Sequence, residues 1–211
     1  DIDNMNGLAT FSNILIIKEE ERYPIESVYI KVINTEQRSE IILKSQIVDA
    51  NLKGTLNMTT IPQVIKTYTS NYIQSTSGYS KINMEDQNFE FAIDFHDPAL
   101  FAKLFVPNLK EFEAGTIAGN FNGPKSELNI QVDLPLINYN DIRFKVLQLN
   151  IQSNSELVDG KLKIVALTSG NIKLPLLTAS MTLKNSEMLL NLNISEFFNV
   201  IEAVSRGSLK N

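Results

Sequence analysis

The sequence predicts a mainly β, antiparallel fold with two or three short helices. Apolar and polar residues alternate along most of the chain, as in residues 128–134 (LNIQVDL). A period of two is typical of strands with one buried face and one face in water. Turn sequences such as Asp159-Gly160 separate the apolar runs, and the short connections favour antiparallel neighbours.

The predicted strands follow one another closely along the chain. We expect them at residues 8–18, 25–34, 39–46, 48–58, 88–95, 114–122, 128–134, 141–152, 160–168, 172–184 and 188–194. Within 141–152 the apolar positions change phase, from Ile142, Phe144 and Val146 to Leu147, Leu149 and Ile151. A β-bulge near Val146–Leu147 would explain this shift.

Three segments break the strand period and predict helices. Residues 60–73 carry apolar residues at helical spacing, with Thr60 able to cap and Pro62 in the first turn. Asp97 precedes a short apolar helix at about 98–105. Ser195 is expected to cap a terminal helix at about 195–205, which would carry Phe197, Phe198, Ile201 and Val204.

A polar stretch suggests where the chain divides. Residues 74–87 are rich in Ser, Thr, Gly and Asn, which predicts a loop or linker. It separates a first β segment, 1–73, which ends in a helix, from a second β segment, 88–211, which holds the two later helices.

Composition excludes several classes of function. The chain has 211 residues, a net charge of −5 and no Lys/Arg cluster, which argues against nucleic-acid binding. It has no cysteine and one histidine, so thiolate and multi-histidine metal sites are excluded. No apolar run approaches the ~18 residues of a membrane span. The sequence begins with Asp1 and shows no signal peptide, which predicts a piece of a longer protein.

Few residues suggest catalysis. Glu111 and Glu113 would lie on one side of an extended segment, as a general acid and base could, but no nucleophile accompanies them. His96 and Asp97 are adjacent, and Asp97 is better placed to cap a helix than to orient the imidazole. We therefore expect no enzyme, no catalytic residue, no metal site and no cofactor.

Gly115, Gly119 and Gly123 recur at every fourth residue, on one face of a strand. They predict either tight bends and bulges in a curved sheet or space for a guest molecule beside Ile117 and Phe121. The strand faces pose a related choice. A sandwich or barrel would bury their apolar sides against each other, whereas an open sheet would leave an apolar trough.

Two stretches resemble the TamB family of translocation and assembly modules, which are AsmA-like proteins. The first is residues 104–123 (LFVPNLKEFEAGTIAGNFNG), followed by 134–139 (LPLINY). The second is residues 43–54 (LKSQIVDANLKG), followed by a helix rich in Ile, Val and Tyr. The resemblance extends over about residues 7–194.

The resemblance implies a β-taco, a long antiparallel sheet curled into an open groove. Members of the family are anchored in the inner membrane of Gram-negative cells and cross the periplasm. They carry phospholipid between the inner and outer membranes and take part in outer-membrane assembly. By this resemblance we expect phospholipid acyl chains as ligands, and a TamA- or BamA-like barrel as a partner of other parts of the protein.

Strand alternation selects the residues expected to line such a groove. They are Val48, Leu52, Leu56, Phe89, Phe91, Ile93, Ile117, Phe121, Leu128, Ile130, Val132, Leu162, Ile164, Leu190 and Leu192. Two alternatives remain open: a closed structural or adhesive β-protein, and a chaperone groove for strands of outer-membrane proteins.

Overall fold

The computed structural model describes residues 5–36, 38–70, 84, 86–106, 108–185, 187–195 and 200–208. Within these ranges it contains thirteen strands and two helices. The strands are β1 Gly7–Lys18, β2 Glu21–Asn34, β3 Ser39–Ser45, β4 Val48–Thr55, β5 Asn88–Phe95, β6 Leu109–Phe112, β7 Thr116–Asn122, β8 Glu127–Tyr139, β9 Ile142–Ser153, β10 Leu157–Ser169, β11 Ile172–Lys184, β12 Glu187–Ser195 and β13 Val200–Ser208. The helices are α1 Ile61–Ser70 and α2 Pro98–Phe105.

All thirteen strands belong to one antiparallel sheet, which is not closed. Their order in the sheet follows their order in the chain, from β1 at one edge to β13 at the other. Only β6 departs from this order: it pairs with the far end of β8, beyond the part of β8 that pairs with β7. An open antiparallel sheet with short helices is the predicted fold class, and it is confirmed.

The second helix is formed as predicted, at residues 98–105. Asp97 caps it, because its Oδ1 accepts a hydrogen bond of 2.9 Å from the backbone N–H of Leu100. The first helix begins at Ile61, and Thr60 supplies the first carbonyl, which accepts from the N–H of Val64. Residues 71–73 of the predicted helix lie outside the described residues.

The prediction of a terminal helix at about 195–205 is wrong for residues 200–205, which belong to a strand. Residues 196–199 lie outside the described residues, but residues 200–208 form strand β13, which pairs with β12 along its whole length. A short isolated helix has marginal stability, whereas β12 offers a row of unpaired backbone groups. Sheet pairing therefore overrides the helical spacing of Ile201 and Val204.

The bulge expected in β9 is present at Val146. Leu147 pairs with Ile164 but Lys145 pairs with Val165, so Val146 is an extra residue relative to β10. Its φ of 46° lies in the left-handed region, which is unusual for a β-branched residue. The register returns by Thr168, after Ala166 adopts a φ of 50°.

The sheet continues across the predicted linker. β4 pairs directly with β5, from Val48 opposite Phe95 to Thr55 opposite Asn88. Most of the stretch 74–87 lies outside the described residues. At its end Gln87 is buried, and its backbone N–H donates to the carbonyl of Met84.

Candidate functional site

The register of the sheet sorts its side chains onto two different faces. Directly opposite residues of antiparallel neighbours project from the same face. We call one side the apolar face. Its central part consists of two open rows, which are Phe91, Ile130, Ile151, Met181 and Leu190, and Ile93, Ile117, Val132, Leu149, Leu162 and Leu192.

The opposite side, the polar face, carries amide, hydroxyl and charged side chains. Neighbouring strands hydrogen-bond across it: the Gln148 amide donates to Asp133 at 3.3 Å, and the Asn129 amide donates to Asn120 at 3.2 Å. These groups are largely hydrated. The two faces therefore differ sharply in polarity over the same strands.

Helix α1 covers one margin of the apolar face. Beside the open rows lies a covered row, made of Phe89, Phe121, Leu128, Ser153, Val158, Leu183 and Met188. Val64 and Tyr68 of α1 form a buried cluster with Phe121 and Leu183 of this row. The Tyr68 ring meets Phe121 edge to face at 5.4 Å, and its hydroxyl shares a hydrogen bond with Ser153.

Helix α2 lies on the apolar face nearer the N-terminal strands. Its Phe101 packs on Phe95 and Phe112, with ring centroids 5.0 and 6.2 Å away. At its other end, Lys18 Nζ of β1 donates to the Lys103 carbonyl at 2.8 Å. This hydrogen bond links β1 to α2. The position is electrostatically favourable, because the C-terminal end of a helix attracts cations. Through these contacts α2 joins β1 to β5 and β6.

Tyr23 of β2 adds to this contact. The Lys103 ammonium lies 5.8 Å from the centre of its ring, which is a cation–π distance. Its hydroxyl donates a hydrogen bond to the Glu21 carboxylate, and that bond raises the pKa of Tyr23. The hydrogen bond to Glu21 favours the neutral form of the phenol, since only this form can donate it.

The open rows are not covered by another layer of the described structure. Every side chain of the open rows remains partly exposed to solvent. In contrast, Phe121 of the covered row is 3% exposed. Among the described residues, the middle of the apolar face is an uncharged surface that water can reach.

The structure brings the predicted lining residues together, except Leu56. Strand register places Val48, Leu52, Ile164 and the others on the apolar face, while Leu56 follows the end of β4. Phe89, Phe121 and Leu128 belong to the row that α1 covers. The same face holds residues that the sequence reasoning did not select, namely Leu134, Leu147, Leu149, Ile151, Leu177, Met181, Leu183, Met188 and Ile194.

Gly119 of β7 and the two glycines that flank this strand, Gly115 and Gly123, allow close packing. A Cβ added to Gly119 would lie 2.6 Å from Cζ of Phe91 and 2.3 Å from the Asn129 carbonyl oxygen. A Cβ added to Gly115 would lie 2.4 Å from the Asp133 carbonyl oxygen, and one added to Gly123 would lie closer still, 1.7 Å from the Met84 carbonyl oxygen. The space beside Gly119 is therefore filled by Phe91 and leaves no room for a guest molecule there. The register of β7 is regular on both sides, so the glycine allows close packing and does not mark a bulge.

The charged residues considered for catalysis have other partners. Arg143 Nε donates to the Glu111 carboxylate at 3.0 Å, and Glu113 lies beyond the end of β6. His96 Nε2 lies 3.3 Å from Asp49 Oδ2, whereas Asp97 caps α2. In the described part of the chain, no three His, Cys, Asp or Glu side chains are grouped so that they could hold a metal ion.

A cavity of about 840 Å³ lies on the polar face, across β7 to β13. Its lining includes both residues that flank Ile117, Val132, Leu149, Leu162 and Leu192 of the second open row, such as Gln131 and Asp133 on either side of Val132, together with Val132, Leu149, Leu162 and Leu192 themselves. Because flanking residues project to the side opposite the open rows, this cavity lies mainly on the polar face, behind the second open row. It offers amide, hydroxyl and ammonium groups to water.

These features define a class of protein: a single open antiparallel sheet with an uncovered apolar middle and helices on its margins. Comparison with protein families, characterised proteins and solved structures found no match to the chain. Neither helix in the described ranges has the length and apolar character that crossing a membrane requires.

Proposed function

We propose that the open rows bind the acyl chains of phospholipids, and that the protein is a TamB-like carrier of lipid in the periplasm of a Gram-negative cell. The proposal rests mainly on one observation. Eleven large apolar side chains from β5, β7, β8, β9, β10, β11 and β12 lie together on one face, and each of them remains partly exposed to solvent. The proposed periplasmic location and the proposed transport of lipid between membranes are based on the sequence resemblance.

Energetics supports an acyl chain as the ligand. Burial of one methylene is worth about 0.8 kcal/mol, so a sixteen-carbon chain gains on the order of 10 kcal/mol in a dry environment. Large exposed apolar patches on soluble domains usually mark binding surfaces. The open rows carry no charged side chain that would hold a head group at one point, which favours movement of the chain along the face.

The small residues within the rows shape this surface. Gly160 and Ala179 stand between larger neighbours in the two open rows. A Cβ added to Gly160 would meet nothing closer than Met181 Cε, at 3.8 Å, so this atom has room there. An apolar substituent can therefore start from this position without displacing the backbone.

The test is native mass spectrometry with lipid extraction, on protein purified from cell envelopes without detergent. We expect bound phospholipid at a reproducible stoichiometry. Ile130→Asp places a charge in an open row and should remove the lipid while circular dichroism still reports a folded sheet. Gln131→Asp is the matched control, because this neighbour lies exposed on the polar face, and it should retain the lipid.

A second variant separates loss of binding from loss of folding. Gly160→Leu adds an apolar side chain to the same row and introduces no charge. We expect it to lower the amount of lipid bound while the unfolding midpoint changes little. A lipid-free wild-type protein that unfolds cooperatively, or equal lipid loss in Ile130→Asp and Gln131→Asp, would remove the basis for the proposal.

A further inference from the structure

The β8–β9 turn and the β10–β11 turn lie side by side at one end of the sheet and carry exposed apolar side chains. Tyr139 lies opposite Ile142 in the first hairpin, and Ser169 lies opposite Ile172 in the second. Ile142 and Ser169 are also opposite each other, across β9 and β10. Directly opposite residues project from the same face, so these side chains form one short row. Tyr139, Ile142 and Ile172 are 42%, 43% and 59% exposed, and we call these three residues the apolar tip.

A fourth exposed apolar side chain lies near the apolar tip. Phe105, at the C-terminal end of α2, is 60% exposed. The connection from α2 to β6 reaches the β8–β9 turn, because the backbone N–H of Asn140 donates to the Asn108 carbonyl at 2.9 Å. The strands of the tip, β8 to β11, are each paired on both sides. The apolar tip therefore belongs to the interior of the sheet and is no free strand edge.

The other end of the same strands has a different character. Its described residues include Lys125, Glu156 and Lys184, and Lys184 Nζ lies 3.9 Å from the Glu156 carboxylate. None of the large exposed apolar side chains in the described part of the chain lies at the turns of this end. Exposed apolar side chains on β8 to β11 are therefore confined to the apolar tip.

Three cations flank the apolar tip. Arg143 and Lys173 each follow a residue of the tip, and both lie opposite Thr168 across the sheet. Lys145 is two residues beyond Arg143 on β9. Arg143 donates to the Glu111 carboxylate at 3.0 Å, whereas Lys145 and Lys173 form no ion pair with a described residue. The fold thus gathers positive charge beside the tip of a protein whose net charge is −5.

The carboxylates nearby leave this charge largely uncancelled. Asp141, in the β8–β9 turn, lies 3.1 Å from Lys110 Nζ and is neutralised by it. The acidic run at residues 19–21 belongs to the β1–β2 turn, and four strands separate β2 from β8 in the sheet. A negatively charged surface is therefore attracted to the β8–β11 side of the sheet and repelled from the β1–β2 side.

We infer that the apolar tip inserts into the interfacial layer of a lipid bilayer, with the flanking cations against anionic head groups. Aliphatic side chains enter the boundary of the hydrocarbon, and a tyrosine keeps its hydroxyl at the level of the head groups. Lysines near an anionic membrane surface add electrostatic attraction. A flat surface that meets the strands end-on contacts both faces of the hairpins, and so both the tip and the cations.

Size and geometry favour a bilayer over a protein partner. The apolar tip and Phe105 together expose roughly 400 Å², about half of the 800 Å² that each partner contributes to a standard protein interface. Because β8 to β11 have neighbours on both sides, no backbone edge is available there to a partner strand. The inference does not require that the open rows hold lipid.

Co-sedimentation of the full chain with vesicles tests the inference. The vesicles contain phosphatidylcholine alone, or phosphatidylcholine and phosphatidylglycerol in a two-to-one ratio. We expect binding to both, and stronger binding to the anionic vesicles. Ile172→Asp should lower the partition coefficient about tenfold, because one aliphatic side chain no longer inserts. Ile65→Asp, the same change at a 55% exposed site on α1, is the matched control and should bind as the wild type does.

A charge variant tests the role of the cations. Lys173→Gln should lower binding to the anionic vesicles about fivefold and leave binding to phosphatidylcholine unchanged. Ile130→Asp separates this surface from the open rows: it removes the proposed acyl-chain ligand, but it should bind vesicles normally. Equal binding of wild-type protein to both kinds of vesicle, or an equal effect of Ile172→Asp and Ile65→Asp, would overturn the inference.

A tryptophan reporter tests the orientation, since the chain has no tryptophan of its own. We expect the emission of Tyr139→Trp to shift to shorter wavelength with anionic vesicles, and that of Glu187→Trp, at the other end of the strands, to stay unchanged. Shifts in both variants or in neither would overturn the inference. Self-association that Ile172→Asp abolishes, without any vesicle binding, would assign the apolar tip to a second copy instead.

Discussion

The covered row and the open rows of the apolar face contain the same kinds of residue, but the covered row belongs to the core and the open rows remain partly exposed. Phe121 and Ile130 are both apolar positions on neighbouring strands, and both project from the same side of the sheet. Phe121 lies beneath α1 and is almost fully buried, whereas Ile130 is partly exposed. Alternation therefore identifies the face, and the position of α1 decides which part of it is core.

The largest expected effect is from Phe121→Ala, at the centre of the covered row. It removes a ring that packs on both Tyr68 and Phe89. We expect the free energy of unfolding to fall by about 3–5 kcal/mol, because the truncation leaves a cavity under α1. Urea unfolding followed by circular dichroism measures this. A loss below about 1 kcal/mol would mean that α1 does not hold the covered row.

A matched pair of leucines compares the two parts of the face directly. Leu183 is 6% exposed in the covered row, and Leu190 belongs to an open row. Leu183→Ala should cost about 3 kcal/mol and Leu190→Ala about 1 kcal/mol, since the second side chain is already partly in water. Equal costs in urea unfolding would show that the two regions are equally buried in solution.

The glycines give a third contrast, within the open rows. Gly119→Ala should destabilise by about 1–3 kcal/mol, because the added methyl group overlaps the Phe91 ring and the Asn129 carbonyl. Gly160→Ala should change stability by less than about 1 kcal/mol, since its Cβ has room beside Met181. Thermal unfolding of the two variants side by side checks the order, and the reverse order would contradict the packing described.

A smaller effect than that of Phe121→Ala is expected from Tyr68→Phe, in the same cluster. It keeps the edge-to-face contact with Phe121 and removes the hydrogen bond to Ser153. We expect a loss of about 1 kcal/mol, the usual net worth of one such bond. The decisive comparison is the double variant with Ser153→Ala: additive losses would mean that the two hydroxyls do not interact in solution.

Much of the sheet was predictable because its strands have one wet and one apolar side. The period of two located eleven of the thirteen strands, and the phase shift in β9 located the bulge at Val146. The cap at Asp97 was also predictable, because it is a local interaction with Leu100, three residues later. Each of these features depends on residues close together in sequence.

The remaining features depend on contacts that no local pattern records. β6 has only four residues, and a register shift between Leu109 and Glu111 disturbs its alternation. β13 carries helical spacing, but the free edge of β12 determines its conformation. The division of the apolar face into covered and open rows depends on where α1 packs, about 50 residues before its Phe121 contact in the chain. The predicted groove lining therefore included residues of the covered row as well as residues of the open rows.

The order of the strands has a consequence for how such a molecule changes size. Because nearly every strand pairs with its neighbours in the chain, most of the sheet is a series of hairpins whose interactions extend to the next strand only. A hairpin added or lost would lengthen or shorten the face by about 10 Å, at about 4.8 Å per strand, without reassembling a central core. The reach of the protein can therefore be adjusted in small steps by the simple duplication or deletion of short coding segments.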